Sequence, residues 1–382
     1  MADSVLIIAG HAACLAPVFG ESAVVRLARL ALSLDLPVHL WLTPEIRQAL
    51  GSEFYRLLGP MAPRVMTAAE MLEAARTWRP DQGKKILVLP ATSVWDRLSL
   101  RQRLEDFAAP SEGGTSPFLM AQAELAEAVR ACLENRLPRA GSNRGLLPFL
   151  LADASQGSLA EARLVQHLAA STQASDGLLA RWVDRPLSRA LSPHLARKRV
   201  PPNLITLAGM SLGLLGAWLL ARAGYGPHLL GALLFWSAVV LDGVDGEVAR
   251  LTLRESAFGH YLDIITDNLV HVAVFIGMAV GLYRDTGYSG HLYALAALIL
   301  GFGLCAVAVY QVVGKKENSR EAWSPLAAKL VKALNSRDFA YLVVLLAFIN
   351  RLSWFLWGAA GGTYLFALGL WLLPRYHRAR PS

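Results

Sequence analysis

The sequence predicts a two-part chain, an α/β domain with a mostly parallel sheet followed by an all-α membrane domain of six helices. Three observations carry this. Short β-favouring runs alternate with helical spacing up to about residue 140, long apolar runs dominate from about residue 200, and 54% of the 382 residues are hydrophobic. Mean hydropathy is positive, yet the polar residues concentrate in the first half.

Residues 5–9 form an apolar run that ends at Gly10 and has the character of a strand, and helical spacing follows over 21–34. Residues 37–42 and 85–89 are strand-like, whereas 44–58 and 68–78 are helical. Strands alternating with helices imply a parallel sheet. A Pro at each end of 110–117, with Gly113 and Gly114 between them, marks a loop, and 121–135 is helical. Polar residues 138–144 break the pattern, 159–170 restore a helix, and 171–177 form a linker.

Residues 178–200 differ. Leu179, Trp182, Leu187, Leu191 and Leu195 alternate with Arg181, Arg185, Arg189 and Arg197. That pattern predicts a basic amphipathic helix on a membrane surface, kinked or split by Pro186 and Pro193. An ordinary helix packed on the first domain is the alternative. The domain boundaries expected are therefore 1–140, a connector at 141–177, the interfacial helix at 178–200, and a membrane domain at 201–382.

About 20 apolar residues cross a bilayer, which gives six spans at 204–223, 229–249, 258–283, 291–313, 338–352 and 354–373. Basic clusters lie before the first span, between the fourth and fifth, and after the last. Positive-inside weighting then turns both ends toward the cytoplasm, with the chain in a bacterial-type inner membrane. The formal charge of +8 matches membrane lipids as partners and not nucleic acid, because no basic helix with interleaved aromatics occurs. Cys14, Cys132 and Cys305 lie far apart and form neither a disulfide framework nor a zinc motif. The opening residues make a poor signal peptide, with an acid and no basic region before the apolar run.

Residues 242–267, DGVDGEVARLTLRESAFGHYLDIITD, place Asp242, Asp245, Asp263 and Asp267 inside this apolar half. Ionisable groups within a membrane helix point to function. Positions three or four apart share a helix face, so Asp242, Asp245 or Gly246, and Ala249 make one stripe, and Gly259, Asp263 and Asp267 another. Like charges brought together need a cation between them, and Mg²⁺ prefers carboxylate oxygen. Gly246, Ala249 and Gly259 leave room for a ligand, and Arg250 suits phosphate. Together these suggest a two-metal site for a phosphate ester. His271 extends the second face as a polar lining, since imidazole is a poor partner for Mg²⁺. Lys315, Lys316 and Arg320 act as topology and headgroup residues.

The spacing of Asp242, Asp245, Gly246, Ala249, Arg250, Gly259, Asp263 and Asp267 resembles the signature of the CDP-alcohol phosphotransferase family. The resemblance implies transfer from a CDP-alcohol, with CDP-diacylglycerol expected, to a polar acceptor hydroxyl with release of CMP. It implies two divalent ions, Mg²⁺ or Mn²⁺, held by Asp242, Asp245, Asp263 and Asp267, with Asp267 as ligand or base. Asp242, Gly246, Ala249, Arg250 and Gly259 would line the nucleotide pocket. Asn203 and Thr206, three apart at the start of the first span, resemble the polar pair that contributes to the family's nucleotide site, with plain helix capping as the alternative. A homodimer is expected. The fused architecture is most similar to members taking inositol phosphate, and glycerol 3-phosphate is the alternative acceptor. An intramembrane cation transporter would explain the acids but not the Gly246, Ala249 and Arg250 pattern, and a membrane scaffold whose first domain binds a partner, with the transferase residual, is a third reading.

The opening segment resembles the start of a sugar-phosphate nucleotidyltransferase, which implies a Rossmann-like first domain. His11-Ala12-Ala13-Cys14 stands where that family has glycines and an Arg, and Pro90-Ala91-Thr92 stands where it presents a metal-binding Asp. A degenerate domain without catalysis is the expectation, and an unrelated α/β accessory domain the alternative.

Overall fold

The computed structural model describes residues 4–34, 37–50, 63–77, 86–106, 122–135, 149–172, 180–313 and 339–378. The expected loop 110–117, the break at 138–144, most of the linker 171–177, and Lys315, Lys316 and Arg320 lie outside the described residues. The chain divides into two units, one of residues 1–172, 191–200 and 247–255, the other of 173–190, 201–246 and 256–382.

The first unit is built on four parallel strands, β1 (Ser4–Ala9), β2 (Val38–Leu42), β3 (Arg64–Val65) and β4 (Ile86–Pro90), in the order β3-β2-β1-β4. Every residue of β1 is buried, as an apolar run without polar alternation requires of a strand covered on both faces. Val5, Ile7 and Ala9 pack with α1 (Ala23–Leu32). Leu6 and Ile8 point to the other face, where Met71 and Ala75 of a helix at Ala68–Thr77 and Leu125, Val129 and Cys132 of one at Gln122–Leu133 cover them. The two-residue strand β3 escaped sequence reading because it is too short for any periodicity.

After β1 the chain makes a 3-10 turn, Ala12–Leu15, capped by the His11 ring, which accepts from Ala13 N at 3.2 Å. Beside it Gly10 lies close against Leu133, whose Cδ2 would be 2.3 Å from a Cβ there and would have to shift. Thr92, after β4, donates to the Asn135 side chain. At the switch point of the strand order, where open α/β sheets receive ligands, Gly10 and Thr92 thus stand against Leu133 and Asn135. A helix at Gly157–Thr172 belongs to this unit rather than to a separate connector, because its Ala160 and Leu164 are buried with Val18 and Phe19.

The segment expected on the membrane surface is a π-helical turn, Ala180–Asp184, followed by α2 (Arg185–Arg197). Pro186 falls in the first turn, where no N–H is needed, and the helix continues through Pro193. Of the kink or split expected at the prolines, no break occurs at Pro193. Asp184, Ser188, Ser192 and Ala196, every fourth residue, form the buried stripe, while Trp182, Leu187 and Leu191 are exposed. That polarity is inverted relative to a helix on a soluble core. The stretch from Leu191 packs in the first unit, where Arg197 Nε meets Glu161 at 2.6 Å. In the second unit Asp184 accepts from Trp236 Nε1 at 3.3 Å and from the Tyr341 hydroxyl.

Among the described residues, the long or apolar helices that follow are α3 (Pro202–Leu220), α4 (Tyr225–Leu251), α5 (Ala257–Thr286), α6 (Gly290–Val313), α7 (Phe339–Phe348) and α8 (Leu352–Arg378). Among the described residues, four are long and apolar enough to cross a membrane: α3, α4, α5 and the Gly290–Ala308 part of α6. Only 33–39% of each apolar window is buried inside the protein, so most of these side chains are at least partly exposed, as lipid solvation allows. The helices meet through small residues, the usual contact between membrane helices. A Cβ on Gly213 would strike Val270, and one on Gly277 would lie 2.2 Å from the Ala217 carbonyl oxygen.

Candidate active site

Glycine contacts bring α3 close to α5 and to α4, and this approach assembles the polar site. Pro202 and Asn203 start α3 with a Pro in the first turn, so Thr206 stands one turn in. Its hydroxyl donates to the Asp245 carboxylate on α4. Thr206 and Asp245 are 8% and 5% exposed, so the pair is withdrawn from bulk solvent.

One carboxylate oxygen each from Asp242, Asp245 and Asp263 lie within 4.8 Å of one another. The first two come from α4 and the third from α5, as two facing acidic stripes require. Like charges at this separation repel by on the order of 3–4 kcal/mol per pair at an effective dielectric of about 20. A donor set of hard oxygens with that repulsion fits a hard divalent cation. Asp267 lies one turn beyond Asp263 on α5, partly buried, and outside the group of three.

Ser256 caps α5, its Oγ accepting from Gly259 N at 3.0 Å. A Cβ on Gly259 would lie 3.1 Å from both Asn203 Oδ1 and Ser256 Oγ. Gly259 thus makes room for the Asn203 amide, which brings two of the sequence-selected residues together. Gly246 sits beside Asp245, partly buried, on α4. Ala249 and Arg250 fall in the last turn of α4, in the part counted with the first unit. The His271 ring packs on Phe235 and Phe339, with centroids 5.9 and 5.3 Å away.

Glu247 was not singled out by sequence. It is 4% exposed and accepts from Ser192 Oγ at 2.7 Å. Only its place two residues after Asp245 in an apolar helix could have marked it. The Thr206–Asp245 contact was equally hidden, because it joins residues far apart in the chain.

Comparison with known proteins matches residues 199–370 to the CDP-alcohol phosphatidyltransferase family. A bifunctional IPC transferase and DIPP synthase of Aquifex aeolicus is 36% identical over 107 residues, which is 28% of this chain and 24% of that protein. An archaetidylinositol phosphate synthase of Methanothermobacter thermautotrophicus is 34% identical over 117 residues, 30% of this chain and 55% of that one. The crystal structure of the Mycobacterium tuberculosis phosphatidylinositol phosphate synthase with CDP-DAG bound is 20% identical, covering 49% of this chain and 90% of that one, at a TM-score of 0.34. The chain spans about a quarter of the first relative's length and about half of the second's.

Proposed function

We propose, on the premise that the chain belongs through residues 199–370 to the CDP-alcohol phosphatidyltransferase family, that it moves a phosphatidyl or similar phospho-alcohol group from a CDP-alcohol to a polar acceptor hydroxyl, releasing CMP. The observation that carries this is the group of Asp242, Asp245 and Asp263 on two apolar helices. CDP-diacylglycerol is the donor in this reading, because a site on membrane helices suits a lipid whose tails stay in the bilayer. Inositol phosphate is the acceptor, in keeping with the relatives' names, and glycerol 3-phosphate is the alternative. The comparisons give an ion-transport reading no support.

Asp242, Asp245 and Asp263 would hold divalent cations, Mg²⁺ or Mn²⁺, two per site, with Asp267 adjoining them. When bound, such cations neutralise charge on the leaving phosphate and favour in-line attack. The chain's own residues do the rest. Asp267 takes the proton from the acceptor hydroxyl, Thr206 orients Asp245, and Asn203, Asp242, Gly246, Ala249, Arg250 and Gly259 line the CDP pocket. In this reading all six helices from α3 to α8 cross the membrane, the site faces the cytoplasm, and the exposed Trp182, Leu187 and Leu191 rest on lipid. Two copies associate through the membrane helices. The α/β unit is a degenerate nucleotidyltransferase-like domain without catalysis, a reading supported by the contacts of Gly10 with Leu133 and of Thr92 with Asn135 at the sheet's switch point.

Incubating the purified full-length protein with CDP-diacylglycerol, Mg²⁺ and labelled acceptors tests the proposal. Release of CMP with an inositol phosphate lipid identified by mass spectrometry is expected. No CMP from any CDP-alcohol, or turnover that survives EDTA, would refute it.

A further inference from the structure

The last turn of α4 and the turn into α5 belong to the first unit. Arg26, on α1 and 4% exposed, donates from its guanidinium to the Leu251 carbonyl. Arg29, one turn along and paired with Glu21, reaches the Leu253 carbonyl at 3.5 Å. Carbonyls at a helix C-terminus lack helical partners, and a cation there complements the helix dipole. Arg97 adds an ion pair with Glu255 at 3.4 Å.

The backbone between the two helices is itself unusual. Leu253 sits at φ 55 in the left-handed region, which a side chain with a Cβ disfavours. A glycine at this point would reverse the chain without strain. Leu253 instead packs its side chain against the main core beside the sheet, so the strain is held by contact with the α/β unit. Burial pushes the Arg26 guanidinium down to about 10, which leaves it charged at neutral pH. A buried cation is costly to maintain, and closing a turn does not need one.

Residues 247–255 join the acids of α4 to those of α5 along the chain. We infer that the α/β unit works as a clamp on this turn, with Arg26 as a positioning residue that sets how the acid-bearing helices present their carboxylates. The inference rests on the transferase reading. It assigns the α/β unit a role in the reaction without any chemistry of its own.

The test uses the full-length protein in lipid nanodiscs, with Arg26→Met, Arg26→Lys, Leu253→Gly, Arg97→Glu and the swap Arg97→Glu/Glu255→Arg. Arg26→Met and Leu253→Gly should speed amide exchange at residues 251–257. They should also raise the Mn²⁺ needed for half-maximal thermal stabilisation, and for half-maximal CMP release, by about 10-fold, the scale of a lost supporting contact at a metal site. Arg26→Lys should recover part of that loss. Arg97→Glu should cost about 3-fold, as befits an exposed pair, and the swap should restore it. Folded variants with faster exchange at the turn but unchanged Mn²⁺ dependence and kcat would overturn the inference. Should Arg26→Met fail to fold, the exposed Arg97 and Glu255 pair decides alone, and no loss in Arg97→Glu would overturn it. Absence of CMP release by the unmodified chain would sink the transferase reading instead, while the Mn²⁺ thermal shift still reports on the clamp.

Discussion

The Thr206 hydroxyl on α3 donates to the Asp245 carboxylate on α4, and both side chains are buried. A carboxylate that also belongs to a three-acid group needs its orientation fixed by a neighbour, as metal ligands in general do. Thr206→Val keeps the branched shape and removes the donor. About a 10-fold to 100-fold loss in metal affinity is expected, read as a shift in the Mg²⁺ dependence of CMP release, with Thr206→Ser close to the unmodified chain. If Thr206 instead touches the nucleotide, KM for the CDP-alcohol will rise while the Mg²⁺ dependence stays put.

Asp267 separates ligand from base. It lies one turn past Asp263 and outside the group of three carboxylates, so Asp267→Asn should leave metal-dependent binding of CDP in place. The loss of a general base costs about 10²–10⁴-fold in turnover. Isothermal titration with CDP and Mn²⁺, set beside the rate of CMP release, checks both halves, and wild-type turnover in Asp267→Asn would remove it as the base.

The sequence announced these acids well and their surroundings poorly. The spacing of Asp242, Asp245 and Asp263 is local to two helices, so it survives in one dimension, and these three do come together while Asp267 lies outside their group. The strands at residues 5–9 and 86–89 were equally legible, because a strand buried on both faces is a continuous apolar run. Long-range partners left no such trace: nothing about Thr206 or Arg26 alone names Asp245 or Leu251. The sharp turn after Leu251 was invisible for a different reason. Its left-handed residue is Leu253, where sequence reading looks for glycine.

Gly259 sets stability against activity. It lies in the first turn of α5, where replacing glycine by alanine gains up to about 1 kcal/mol of helix propensity. The added Cβ would come 3.1 Å from Asn203 Oδ1 and from Ser256 Oγ, forcing the amide to give way. Gly259→Ala should therefore melt no lower than the unmodified chain while KM for the CDP-alcohol rises several-fold, of the order expected for a misplaced binding group. Thermal unfolding and initial-rate kinetics on one preparation decide it, and unchanged KM would show that Asn203 stands apart from the nucleotide.

The α/β unit should lose stability in alkali through its thiols. Burial pushes Cys14 up to about 12 and raises Cys132 as well, whereas an unfolded thiol titrates near about 8.5. Between those values the unfolded chain has released protons that the folded chain keeps, so unfolding becomes easier as pH rises. The stabilising contribution is complete below about 8.5 and falls away toward about 12. Melting temperatures taken from pH 7 to 10.5 should decline, and Cys14→Ala should flatten the decline even though its cavity lowers the curve throughout. Maleimide should label both thiols at pH 8 only after denaturation, since the thiolate is the reactive form. Rapid labelling of Cys14 in the folded protein would contradict the buried position that the whole argument for this unit assumes.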